Sequence, residues 1–331
     1  MWERLRLTII IAESVMKMSN SGRLINYTLR PAKCVERKIM CELLTKFRTE
    51  VPIHLYRYIG FGAFYFSDFV LFHNQLNINQ MISIEQSSNA ERYNFNKPYK
   101  CIEMAYGSAS HVIANKIKFS GEIKDIVWLD YDGNFATEVL NDMLLLLDRV
   151  SSGSFVFTSF NTSIPDDECA RKMPYLQDNF PDYLPPKLEE KDISKKTIPS
   201  ILFSVVDTAV QKGMVARNVK EEIDLVAKPV FFVKYNDNAE MLTIGYYIVR
   251  TDNFDESILV DMPWCPQEEK PFSIDVPCFT KAEIREINRF LPGSTAAEIH
   301  AQLPYLEEKD IKKYIGMYKY YPNFLDSQYY V

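Results

Sequence analysis

Three short stretches of the sequence bring together residue types that can do chemistry. The first is Tyr58-Ile59-Gly60-Phe61-Gly62. The chain has only 11 glycines in 331 residues, so two of them spaced by one residue form a signal. Lacking Cβ atoms, they let a turn pass close to a ligand. The second is Glu85, an acid that can accept two neighbouring hydroxyls of a ligand from the end of a strand. The third is Asp130-Tyr131-Asp132-Gly133. Asp130 or Asp132 can act as a general base or orient a hydroxyl or an amine. One Asp-x-Asp is too little to read as a metal site, and no metal is expected.

Each stretch has a plain alternative. Gly60 and Gly62 can be a strand-to-helix turn that binds nothing. Glu85 can be a solvated strand-end acid, and Asp130 or Asp132 a helix N-cap. A further group, Arg30, Lys33, Arg37 and Lys38, is a candidate phosphate or partner contact, against the alternative of a solvated helix face. His54 and His73 fall within apolar elements and read as core or helix-face residues.

Other chemistries are argued against. There is no Gly-x-Ser-x-Gly nucleophile elbow and no Gly-x-x-x-x-Gly-Lys-[Ser/Thr] phosphate loop. Six cysteines form no Cys-x-x-Cys pair, and with four histidines there is no zinc spacing. Scattered thiols in a chain of this size point to a reducing compartment and a cytoplasmic location. The longest N-terminal apolar run, from Leu7 to Ala12, is far shorter than the roughly 20 residues of a membrane span. A net charge of −6 argues against coating nucleic acid through bulk charge.

The elements that must position these residues follow from periodicity. Pro31 to Phe47 reads as an amphipathic helix with a basic polar side, opened by a first-turn proline. Strands are expected at 53–59, 80–84, 101–105, 125–129 and 154–159, and helices at 67–76, 108–117 and 136–150. The alternation implies a parallel sheet covered by helices on both faces. Residues 163–199 hold six prolines and break the rhythm. They read as an inserted lid or binding loop. A helix at 200–212 and strands at 228–235 and 241–250 follow, the last two as an antiparallel hairpin. Beyond a proline-rich linker the chain turns helical, with capping boxes at Thr280/Glu283 and Thr295/Glu298. Residues 280–331 balance seven basic against seven acidic groups, so they read as a packed appendage.

Five strands in alternation and a closing hairpin resemble the class I S-adenosylmethionine-dependent methyltransferases over about residues 50–250. In particular the chain resembles, as a divergent member, bacterial proteins described as "putative O-methyltransferases". The resemblance implies a seven-stranded Rossmann-like α/β sheet of five parallel strands plus a terminal hairpin. It implies S-adenosylmethionine as cofactor, held by Tyr58, Gly60, Gly62, Asp68 and Glu85. The family's first strand runs into Asp/Glu-x-Gly-x-Gly; Tyr58 stands here for the acid and Phe64 for the third glycine. Asp68, one helical turn on, is the candidate to take over the acid's role toward the ligand's amino group. Glu85 would take the ribose hydroxyls. Asp130 and Asp132 replace the Asn/Asp-Pro-Pro-Tyr motif of enzymes that methylate nucleic-acid amines.

The expected organisation is a flexible extension at 1–22, a basic helix at 23–50, a methyltransferase-like domain at 51–250 and an appendage at 251–331. The activity implied is methyl transfer to an acceptor that is a small molecule, a protein or a nucleic acid. The alternatives are a catalytically degenerate subunit, docking a protein through the N-terminal helix or the appendage, and a dinucleotide binder. No membrane partner is expected.

Overall fold

The computed structural model describes residues 30–47, 49, 51–86, 89–164, 172–237, 239–266 and 270–322. The extension expected at 1–22 lies outside the described residues. Helix α1 (Pro31–Lys46) opens the described chain, with proline in its first turn. Then come β1 (Arg57–Gly60), α2 (Ser67–Leu76), β2 (Gln80–Glu85), α3 (Ala90–Asn96) and β3 (Ile102–Tyr106). They are followed by α4 (Ala109–Asn115), β4 (Asp125–Asn134), α5 (Thr137–Leu147) and β5 (Phe155–Asn161). Next are α6 (Lys172–Asn179), α7 (Ile198–Glu221), β6 (Leu225–Asn236), β7 (Glu240–Arg250) and β8 (Phe272–Ile274). Helices α8 (Lys281–Asn288), α9 (Ala296–Gln302) and α10 (Glu308–Met317) close it.

The strands form one sheet in the order β3-β2-β1-β4-β5-β7-β6-β8. β1 to β5 are parallel, and β7 runs antiparallel to both β5 and β6. The expected Rossmann-like sheet with its terminal hairpin is therefore present. One strand is added: β8 pairs parallel with β6, inside the stretch read as linker.

The near-continuous apolar strands are explained by cover on both faces. Along β4, Ile126 and Trp128 point into one core, with α1 and α2. Val127 and Leu129 point into the other, with α4, α5, α6 and α7. This is the two-residue alternation of a strand. Each fully buried large side chain contributes about 2 kcal/mol.

Four expectations are corrected. β1 begins at Arg57, because residues 53–55 wind into a 3-10 turn after Pro52 and leave Leu55 exposed. β4 continues past 129, pairing again at Asn134 with Asn161 after an irregularity. α7 does not stop at Lys212. Gly213 sits mid-helix where an added Cβ would lie 3.1 Å from Leu144, so it serves the close approach of α5 and α7 rather than a helix end. The described part of 163–199 is not a free loop. Ile164, Met173, Leu176, Phe180 and Ile193 are buried in the core. Phe180 stacks on Phe135 at 4.6 Å, and Tyr175 donates 2.7 Å to the Phe135 carbonyl.

The appendage has its own core of Ile287, Ile299, Leu303, Ile311 and Tyr314. Both expected capping boxes form. Tyr320 ties it to α1 by donating to the Glu42 carboxylate, and Lys38 donates to the Tyr320 carbonyl at 3.1 Å.

Candidate functional site

The strand order reverses between β1 and β4, and the crevice of such a sheet lies beyond the carboxyl ends of its strands there. β1 delivers Gly60, Phe61 and Gly62 to that point. The loop that follows holds Ala63 and Phe66 with left-handed backbone, at φ 47° each. Left-handed non-glycine residues cost free energy and persist only where the surroundings impose them.

Part of what imposes them is on β2. Glu85 Oε1 accepts from the Ala63 amide at 2.9 Å and from the Ser83 hydroxyl at 3.0 Å. Ser83 Oγ in turn accepts from the Gly62 amide at 3.1 Å. Two residues at strand spacing on β2 thus gather the backbone of the glycine turn. Glu85 is 7% exposed, and burial raises its carboxyl to about 7.

The glycines serve the chain's own packing as well. A Cβ on Gly62 would stand 2.7 Å from Ser83 Oγ and against the Phe66 ring; one on Gly60 would meet the Tyr58 ring. Tyr58 is fully buried and donates its hydroxyl to Asp68 on α2. The two residues expected near a ligand's amino group are therefore brought together. Burial raises both: Asp68 above the usual carboxylate range and Tyr58 well above that of a phenol.

Helix α1 supplies what the sequence reading did not foresee. The helix is buried on nearly every side, including Lys33, Glu36 and Arg37. Its first turn is seated on the β6–β7 turn, where Asp237 accepts from the Ala32 and Lys33 amides at 3.2 and 2.8 Å. Lys33 Nζ lies 2.8 Å from Glu36 Oε2, 2.7 Å from Asp130 Oδ1 and 3.0 Å from the Tyr235 hydroxyl. It also sits 4.3 Å above the Trp128 ring. Glu36 accepts from Thr243, which bonds Ser159, which accepts from the Trp128 indole at 2.8 Å. Burial raises Glu36, with Lys33 acting against it.

The basic helix face is thus corrected. Lys33 and Arg37 are buried, and Lys38 is committed to the appendage, so Lys33 and Arg37 offer no exposed patch. The signal was available: Lys33, Glu36, Met40 and Leu43 recur at spacings of three and four, which puts the charges on an apolar stripe.

Asp130 and Asp132 part company. Asp130 is 20% exposed and tied to Lys33 through one oxygen. Asp132 is exposed. Neither caps α5, whose N-cap is Ala136. Between them Tyr131 turns back to donate 2.6 Å to Asp142, and its ring meets Phe61 edge-on at 5.2 Å. His73 bonds the Ile78 carbonyl at 2.9 Å, a helix-face role. Among the described residues no group of histidines, cysteines and acids can hold a metal. No helix among them is long and apolar enough to cross a membrane.

Asp68 thus lies near Arg37 and Asp130, and Lys33 bridges Asp130 to the fully buried Glu36. Two clefts of about 320 and 360 Å³ lie elsewhere, one beside Trp264 and α10 and one beside Asp237 and β8.

Distant likenesses of shape exist among solved structures. A fibrillarin/Nop5p complex aligns at 10% identity and TM-score 0.37, covering 70% of this chain and 91% of that one. Cofactor-bound Rv0187 from MTB aligns at 10% and 0.37, covering 72% and 90%. A "putative hemolysin" from Lactococcus lactis aligns at 10% and 0.40, covering 66% and 88%. No curated protein matches the sequence. A family model described as "Putative O-methyltransferase" matches residues 25–329, from before the buried helix through the whole sheet and the appendage, and the chain belongs to that family.

Proposed function

We propose that the protein binds S-adenosylmethionine in the crevice beyond β1, β2 and β4 and transfers its methyl group to an oxygen acceptor. The observation that carries this reading is Glu85: buried at the end of β2, with Oε1 fixed to the glycine turn. Glu85 takes the ribose hydroxyls, and the backbone of Gly60 to Ala63 lies along the ligand. Asp68, paired with Tyr58, faces the amino group in place of the acid absent at position 58. The bound cofactor supplies an electrophilic methyl on a positively charged sulfur.

The chain's own part is positioning, which brings the largest gain where a nucleophile and a methyl must align. Asp130 accepts the acceptor's proton. Asp132, exposed on the far part of β4, meets the acceptor outside the crevice. The acceptor is a small molecule, a protein or a nucleic acid. A cytoplasmic location is part of this reading and rests on the scattered, unpaired spacing of the cysteines.

Calorimetric titration of the folded protein with S-adenosylmethionine and S-adenosylhomocysteine tests the reading. Micromolar binding, weakened at least tenfold by Glu85→Ala, is expected. Absence of binding would favour the assembly-subunit alternative, which the loss of the acid at position 58 supports.

A further inference from the structure

We propose that Lys33 is a positioning residue for methyl transfer: it fixes Asp130 by one oxygen so that the other receives the acceptor's proton. The inference rests on the cofactor reading above and adds a role for α1. Its ground is geometric. Lys33 is 1% exposed, yet its ammonium meets two carboxylates and a phenol within 3.0 Å. A buried lysine so completely engaged is costly unless its partners compensate. Asp130 is the partner that reaches solvent, two residues past the Trp128 that pairs with Gly60, where the regular pairing of β4 with β5 breaks. With Oδ1 held at 2.7 Å, its Oδ2 has no protein partner among the described residues.

The charged and titratable groups facing this pair come from each packed element. They are Glu36 and Arg37 on α1, Asp68 on α2, Tyr58 on β1 and Tyr235 on β6. Lys33 sets its ammonium against Asp130 Oδ1 among these groups. In the step itself, the acceptor oxygen forms its bond to the methyl carbon and its proton passes to Asp130 Oδ2. The electron pair of the broken carbon–sulfur bond stays on the ligand's sulfur.

The test needs no acceptor. Aspartate carboxyls are labelled with carbon-13 and followed by NMR across pH, and the Asp130 signal is identified by its loss in Asp130→Asn. In Lys33→Met this signal is expected to titrate at least about one pH unit higher than in the wild type. Lys33→Arg, which keeps the charge, restores the wild-type midpoint and serves where Lys33→Met does not fold. Saturating S-adenosylhomocysteine is expected to move the Asp130 signal in the wild type. Equal midpoints in folded wild type and Lys33→Met would overturn the positioning role. Calorimetric binding that leaves the Asp130 signal unmoved would overturn the proton-acceptor role alone. No calorimetric binding would overturn the cofactor reading and, with it, the catalytic use of the pair.

Discussion

The Glu85 carboxylate accepts the Ala63 amide at 2.9 Å, and so joins the end of β2 to the turn after β1. Residues 22 apart in sequence thereby set the backbone of the glycine turn before any ligand arrives.

This acid makes folding pH-dependent. Burial raises its carboxyl from 4.5 to about 7. Between those values the folded chain holds a proton that the unfolded chain has released, so its contribution is full below about 4.5 and is lost as pH rises through about 7. Glu85→Gln keeps the acceptor for Ala63 and removes the titration. Urea unfolding at pH 8 should find it more stable than the wild type by about 2–3 kcal/mol, with little difference at pH 4.5. A wild-type stability that rises across this range relative to the variant would contradict the assignment.

How much of this was legible beforehand depends on the kind of residue. Glu85 and the two glycines stand out because their types are rare or charged at strand ends, and the sheet follows from alternation. The Lys33–Asp130 pair was hidden, since position 97 residues apart leaves no trace in periodicity. Lys33 and Arg37 read as a phosphate or partner contact, or else a solvated face, because a local pattern carries no information about a sheet that covers it. The helix expected at 200–212 falls short because Gly213, which follows it, is needed for the approach of Leu144 on another helix.

Gly62 is required by packing as well as by any ligand. Gly62→Ala brings a methyl against Phe66 and Ser83 and should cost about 1–3 kcal/mol. Gly133 faces open space, and Gly133→Ala should stay within about 0.5 kcal/mol of the wild type. Thermal unfolding of both variants side by side checks the contrast; equal effects would mean that the turn is not packed as described.

Tyr58→Phe removes the hydroxyl that Asp68 accepts. The buried carboxyl then binds its proton more tightly, so the cost grows as pH rises through the already raised value at which Asp68 ionises in the folded wild type. A loss of about 1–3 kcal/mol at pH 8, shrinking toward pH 4, is the expected result of denaturant titrations. A cost independent of pH would place the effect in packing instead.

The appendage has a core separate from the two faces of the sheet. Ile299→Ala removes buried methyl groups there and should destabilise by about 2–5 kcal/mol. Hydrogen exchange should quicken in α8 to α10 and leave β1 to β5 protected. Equal loss of protection in the sheet would show that the appendage folds only with the body.

The most direct test of the central claim is a crystal structure of the complex with S-adenosylhomocysteine. The expected result is a ribose within hydrogen-bond distance of Glu85, with the ligand's sulfur lying toward Asp130. A ligand seated in the cleft beside Trp264 or the one beside Asp237, with Glu85 untouched, would contradict it.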